Sequence, residues 1–73
     1  SELIHVSRLS AMGTMASTLA HELNQPLTAV ANYLEAARDL VDAPDEDTLP
    51  LVREAVAEAA NEALRAGQIV RRL

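Results

Sequence analysis

The feature that most constrains the fold is the spacing of apolar residues, which recur at steps of three and four along nearly the whole chain. The series in the second half is unbroken and has these members: Leu49, Val52, Val56, Ala59, Ala63, Ala66, Val70 and Leu73. The series in the first half shifts register once, next to Pro26, and has these members: Leu9, Met12, Ala16, Leu19, Leu23, Leu27, Val30, Leu34, Ala37 and Val41. Such spacing places one apolar stripe along each of two α-helices.

Two long helices and one connector account for the chain. The first helix is predicted at about residues 3–41 and the second at about 49–73, within a single domain of residues 1–73. Residues 42–48 are acidic and contain Pro44, which is typical of a loop. Asp47 or Thr48 is the expected cap of the second helix.

Composition excludes several classes of protein. The 73 residues include no cysteine and no lysine, and the net charge is −5, so neither a disulfide framework nor a nucleic-acid interface is expected. No apolar run of about 18 residues is present to cross a membrane, so no direct membrane contact is expected. His21-Glu22 matches the first two residues of a zinc-protease motif, which requires a second histidine four residues after the first. Gln25 occupies that position, so no metal site is expected.

A short connector between two amphipathic helices predicts an all-α fold, an antiparallel two-helix hairpin. Each apolar stripe is wider than one neighbouring helix can cover, because Leu64 and Ile69 widen the second stripe. Two hairpins related by a two-fold axis would cover both stripes, so we expect a homodimer that forms a four-helix bundle. Close approach of the helices would be allowed by a set of small residues: Ala55, Ala59, Ala60, Ala63, Ala66 and Gly67.

The segment His21–Leu27 contains the residues that point to chemistry. At about 100° per residue, His21 lies on the side of the first helix opposite the apolar stripe, which exposes its imidazole. This segment, together with Arg8–Gly13 and Arg65–Leu73, resembles the dimerisation and phosphoacceptor domain of sensor histidine kinases, in the FixL-like branch that also contains dicarboxylate sensors.

The resemblance implies a role for each residue of the segment. His21 would be phosphorylated through Nε2 by ATP and would pass the phosphoryl group to an aspartate of a response regulator. Glu22 would orient or deprotonate the imidazole, Gln25 would be placed for a possible phosphatase role, and Pro26 would kink the helix. ATP and Mg²⁺ would be bound by a separate catalytic domain of the same cytoplasmic protein, so no cofactor is expected in these residues.

The antiparallel register predicts which residues of the two helices are neighbours. Paired positions sum to about 90, which places His21 near Ile69 and Gln25 near Arg65. The surface expected to dock the regulator therefore combines residues of both helices: Gln25, Thr28, Ala29, Asn32, Asn61, Leu64 and Arg65.

Two other interpretations use the same residues. A stand-alone histidine phosphotransfer relay would also use His21 but would have no kinase domain. A helical dimerisation module without chemistry would leave His21 as an ordinary surface residue.

Overall fold

The computed structural model describes the backbone of residues 2–72 and the side chains of residues 11–72. Two helices, α1 (Glu2–Asp42) and α2 (Thr48–Arg71), are joined by five residues, and the described residues contain no strand. The helices pack side by side, with Leu40 near Leu51 at the loop end and Glu22 bonded to Arg72 at the other end. The predicted all-α antiparallel hairpin is therefore confirmed, with observed helix bounds within two residues of the predicted ones.

The most deeply buried part of the contact between α1 and α2 is formed mainly by alanines. The buried or half-buried residues of α1 along this contact are Leu19, Leu23, Pro26, Val30, Ala37 and Leu40. Their counterparts on α2 are Val52, Ala55, Ala59, Glu62, Ala66 and Ile69. Because alanine dominates the buried set, the two helix axes can approach closely, and the hairpin encloses little apolar volume.

Each predicted stripe is divided between two faces of its helix. Every second member of the α2 series (Val52, Ala59 and Ala66) packs against α1, whereas the members between them stay exposed in the hairpin. The same division occurs on α1 after Pro26. We call the exposed set the open stripe, and its members are Leu27, Leu34, Val41, Leu49, Val56, Ala63 and Val70. Leu27, a member of the predicted stripe, is thus 48% exposed in the hairpin.

The predicted register shift next to Pro26 is absent from the face that contacts α2. Along that face the spacing of Leu19, Leu23, Pro26 and Val30 is 4-3-4, which is an uninterrupted heptad pattern. The series read from the sequence shifts register because it passes from Leu23 on the face that contacts α2 to Leu27, which begins the open stripe. Pro26 itself is fully buried, and α1 continues through it.

Asp47 occupies the N-cap position of α2, as predicted, but the side-chain hydrogen bonds at this end of the helix are made by Asp45 and Thr48. The Asp45 carboxylate accepts a hydrogen bond of 2.8 Å from the backbone N–H of Asp47, and the Thr48 hydroxyl accepts one of 2.7 Å from the backbone N–H of Asp45. This reciprocal pair satisfies two N–H groups, as in a capping box. Asp47 makes no side-chain cap.

The overall shape is a single layer of two helices. The principal extents are 68 × 20 × 9 Å, and the smallest of them is about the diameter of one helix. The α1 residues 11–18 are all exposed, because α1 extends past the end of α2. Side chains before residue 11, including Leu9 of the predicted stripe, lie outside the described residues, as does Leu73. Neither described helix combines the length and apolar character that a membrane crossing requires.

Candidate phosphoacceptor site

His21 lies in the middle of α1, level with the last turn of α2. The local sequence places it on the side of α1 away from the helix contact, because the half-buried Leu19 and Leu23 and the buried Pro26 occupy the opposite side. The side chain is exposed, in agreement with the periodicity. An imidazole in this position is accessible to the active site of another domain.

The hydrogen bond of His21 goes to the residue one turn later. Gln25 Nε2 is 3.3 Å from His21 Nε2, and both side chains are exposed. An amide nitrogen can only donate, so this contact is a hydrogen bond in the tautomer that carries the imidazole proton on Nδ1. That tautomer is the one in which Nε2 carries a nucleophilic lone pair.

Glu22 is bonded to α2 rather than to its neighbour His21. Arg72 Nη2 donates to Glu22 Oε2 at 2.7 Å, across 50 residues of sequence. Adjacent helical residues diverge by about 100°, so Glu22 points toward the groove between the helices while His21 points to solvent. The predicted contact between Glu22 and Nδ1 of His21 is thus replaced by an ion pair in this conformation.

Two depressions flank Gln25. A cavity in the groove between the helices is lined by Glu22, Gln25, Arg65, Gln68, Ile69 and Arg72. A shallower depression on the outer side of α1 is lined by His21, Asn24, Gln25 and Thr28. Gln25 and Arg65 share the first depression, as the antiparallel register predicted. The Gln25 amide therefore connects the imidazole with the polar groove between the helices.

The predicted docking residues come from both helices, and Gln25 and Arg65 of this set line the groove. All of them are exposed except Ala29, which is half-buried where α1 turns toward α2. Leu64 is 68% exposed and provides an apolar side chain that the hairpin itself does not use. Arg65 is held by Glu62 through bonds of 2.8 and 3.0 Å from Nη2 and Nε.

Arg72 is the site residue that sequence reasoning missed. From the sequence it belonged only to the flanking segment Arg65–Leu73, with no role of its own. The residue numbers of Glu22 and Arg72 add up to 94, whereas residues directly opposite each other in the predicted antiparallel register add up to about 90. A long arginine side chain reaches across such an offset of one helical turn, so opposite charge makes the pairing possible, but the side-chain rotamers decide whether it forms.

Comparison with known proteins adds the family. Sensor protein FixL of Bradyrhizobium diazoefficiens is 60% identical over 73 residues, which are 100% of this chain and 14% of FixL. The C4-dicarboxylate transport sensor protein DctS of Rhodobacter capsulatus is 46% identical over 71 residues, which are 97% of this chain and 11% of DctS. The chain thus spans a small part of the length of these relatives. No solved structure is significantly similar to it.

The family described as the His Kinase A (phospho-acceptor) domain matches residues 11–73, which include most of α1, all of α2 and His21. These matches confirm the resemblance inferred from the segment His21–Leu27 and its flanks. The chain belongs to the His Kinase A phosphoacceptor domain family of sensor histidine kinases.

Proposed function

We propose that this chain is the phosphoacceptor and dimerisation part of a two-component sensor histidine kinase, and that His21 is the residue phosphorylated from ATP. The observation that carries the proposal is the exposed imidazole of His21 on α1, inside a matched phosphoacceptor domain. Its Nε2 is engaged only by a 3.3 Å contact with an exposed amide. Such a contact is weak enough to be exchanged for a phosphoryl group.

The chemistry assigns one task to each neighbour. After Gln25 moves aside, the Nε2 lone pair of His21 attacks the γ-phosphorus, and the bond to the ADP oxygen breaks. Glu22 accepts the Nδ1 proton, which leaves a neutral phosphorylated imidazole. A regulator aspartate then attacks phosphorus, the N–P bond breaks, and His21 regains a proton. A separate domain of the same protein supplies ATP and Mg²⁺, whose positive charge stabilises the transferring phosphoryl group.

A homodimer follows from the open stripe. Its members recur every seven residues on each helix and are about half exposed, with Leu34 at 50% and Val56 at 49%. A single layer 9 Å thick cannot bury this stripe within one hairpin. A second copy presents the same stripe, so a two-fold arrangement buries both and forms the four-helix bundle.

The regulator would dock on the groove below His21. The exposed Leu64 would provide an apolar anchor, and Gln25, Thr28 and Asn61 would add exposed polar side chains, a combination that fits an incoming amphipathic helix. Ala29 leaves space at the edge of the groove because its side chain is small.

Gln25 and Pro26 have further proposed roles. The Gln25 amide lies between the imidazole and the groove, where it would position a water molecule for hydrolysis of the regulator's acyl phosphate. Pro26 has no N–H to donate to the carbonyl of Glu22, so α1 would bend most easily directly below His21.

Because ATP is the substrate, we place the domain in the cytoplasm.

The test is the intact kinase with His21→Gln, compared with His5→Gln, which changes the other histidine of the chain. His21→Gln should abolish incorporation of the γ-phosphate while helix content, measured by circular dichroism, stays the same. His5→Gln should incorporate phosphate at the parental rate. Labelling that survives His21→Gln would refute the assignment.

The relatives favour this function over the two alternatives. FixL and DctS are both sensor proteins. A stand-alone relay would have no kinase domain and would not be expected to match sensor proteins along its whole length. If the chain were a dimerisation module without chemistry, the parent protein in this experiment would incorporate no phosphate. The same experiment therefore separates a silent module from a kinase.

A further inference from the structure

The ion pair between Arg72 and Glu22 joins the two helices at the level of His21. Its N–O distance is 2.7 Å, and the side chains are 63% and 43% exposed. The other ion pair found among the described residues joins Glu62 and Arg65 within α2. An exposed pair of this kind contributes little to the stability of a fold. Its effect is therefore better sought in where it holds the Glu22 carboxylate.

Glu22 has a task that conflicts with this pair. Under the proposed function, its carboxylate accepts the Nδ1 proton of the imidazole one residue earlier. In the structure, Oε2 accepts a charge-assisted hydrogen bond from Arg72 and faces the groove between the helices. While this bond holds, Oε2 is engaged by Arg72 and is not available to the imidazole. Reaching Nδ1 also requires a different rotamer of Glu22 from the one that reaches Arg72.

Arg72 moves with the end of α2. Its backbone N–H is bonded to the carbonyls of Ile69 and Val70, so the guanidinium is tied to the last turn of that helix. Any displacement of this turn relative to α1 would change the distance between Arg72 and Glu22. His21 Nε2 is at the same time covered by the Gln25 amide. Both contacts describe an imidazole that is not engaged in transfer.

We propose that Arg72 is a positioning residue that holds the Glu22 carboxylate away from His21 and thereby limits autophosphorylation until the end of α2 shifts. The proposal rests on the proposed function of His21. Because the pair is exposed, it biases the position of Glu22 only modestly. Its removal should therefore raise the rate about two- to fivefold rather than by orders of magnitude.

The test measures the initial rate of His21 phosphorylation in the intact kinase at saturating ATP. Arg72→Gln should be about two to five times faster than the parent protein. Arg71→Gln is the matched control, because it removes the same charge from the same turn and Arg71 has no ion pair in the described structure. It should keep the parental rate. Arg72→Lys, which retains a cation that can reach Glu22, should also stay close to the parental rate.

A double variant tests whether Arg72 acts through Glu22. Glu22→Gln should slow phosphorylation, and adding Arg72→Gln to it should produce no further change. Acceleration by Arg72→Gln in the Glu22→Gln background would overturn the proposal. So would equal rates for Arg72→Gln and Arg71→Gln, or a slower Arg72→Gln protein with unchanged helix content and sedimentation. A parent protein without any label on His21 would instead refute the proposed function, and this inference with it.

Discussion

Replacing Leu34 by alanine should weaken self-association of the hairpin without changing the contact between α1 and α2. Leu34 belongs to the open stripe and is 50% exposed. Burying a whole leucine side chain contributes about 1.5–3 kcal/mol, so covering the remaining half is worth about 1 kcal/mol per copy. A symmetric dimer contains the residue twice. The loss of about 2 kcal/mol then raises the dissociation constant roughly thirtyfold.

A charged residue at the same position should have a larger effect. Leu34→Glu removes the same apolar area and also places a carboxylate in each half of a two-fold interface, where it lacks a partner. This variant should be monomeric at micromolar concentration. Because one hairpin exposes most of its apolar surface, it should lose helix content as it dissociates.

Sedimentation equilibrium and circular dichroism over a concentration series measure both effects. Leu64→Ala is the matched control, because Leu64 is 68% exposed but lies outside the open stripe. Its dissociation constant should change less than twofold relative to the parent, by the same area argument. Equal shifts for Leu34→Ala and Leu64→Ala, or a well-folded parental monomer at micromolar concentration, would refute the reasoning.

Two further predictions concern the groove and the loop. Ala29→Arg places a bulky cation at the edge of the groove, so phosphoryl transfer from His21 to the regulator should be blocked while autophosphorylation is retained. Equal loss of both steps in a phosphotransfer assay would mean that the docking surface is misplaced. Asp45→Ala should lower stability by about 1 kcal/mol per protomer, whereas Asp47→Ala should have little effect, since Asp47 makes no side-chain cap. Thermal melts at one protein concentration compare the two variants, and a larger loss for Asp47→Ala would contradict the observed cap.

Local properties of the chain were predicted well from its sequence. The two helices, the acidic connector and the exposed position of His21 follow from the periodicity of apolar residues, which depends only on the geometry of one helix. The pairing of Gln25 with Arg65 also followed, because a short connector leaves little freedom in how two antiparallel helices align. The family was recognised from His21–Leu27 and its flanks for a different reason, namely the order of residue types.

Properties that depend on two elements at once were decided by the tertiary structure. Apolar periodicity shows that a residue avoids water but does not show which neighbour covers it, so the hairpin face and the open stripe were merged into one. Asp45, Asp47 and Thr48 are all suitable caps by residue type, and the path of the loop selects Asp45. The bond between Glu22 and Arg72 depends on the axial offset of α1 and α2 and on two side-chain rotamers. Spacing along a single helix contains no information about either of these quantities.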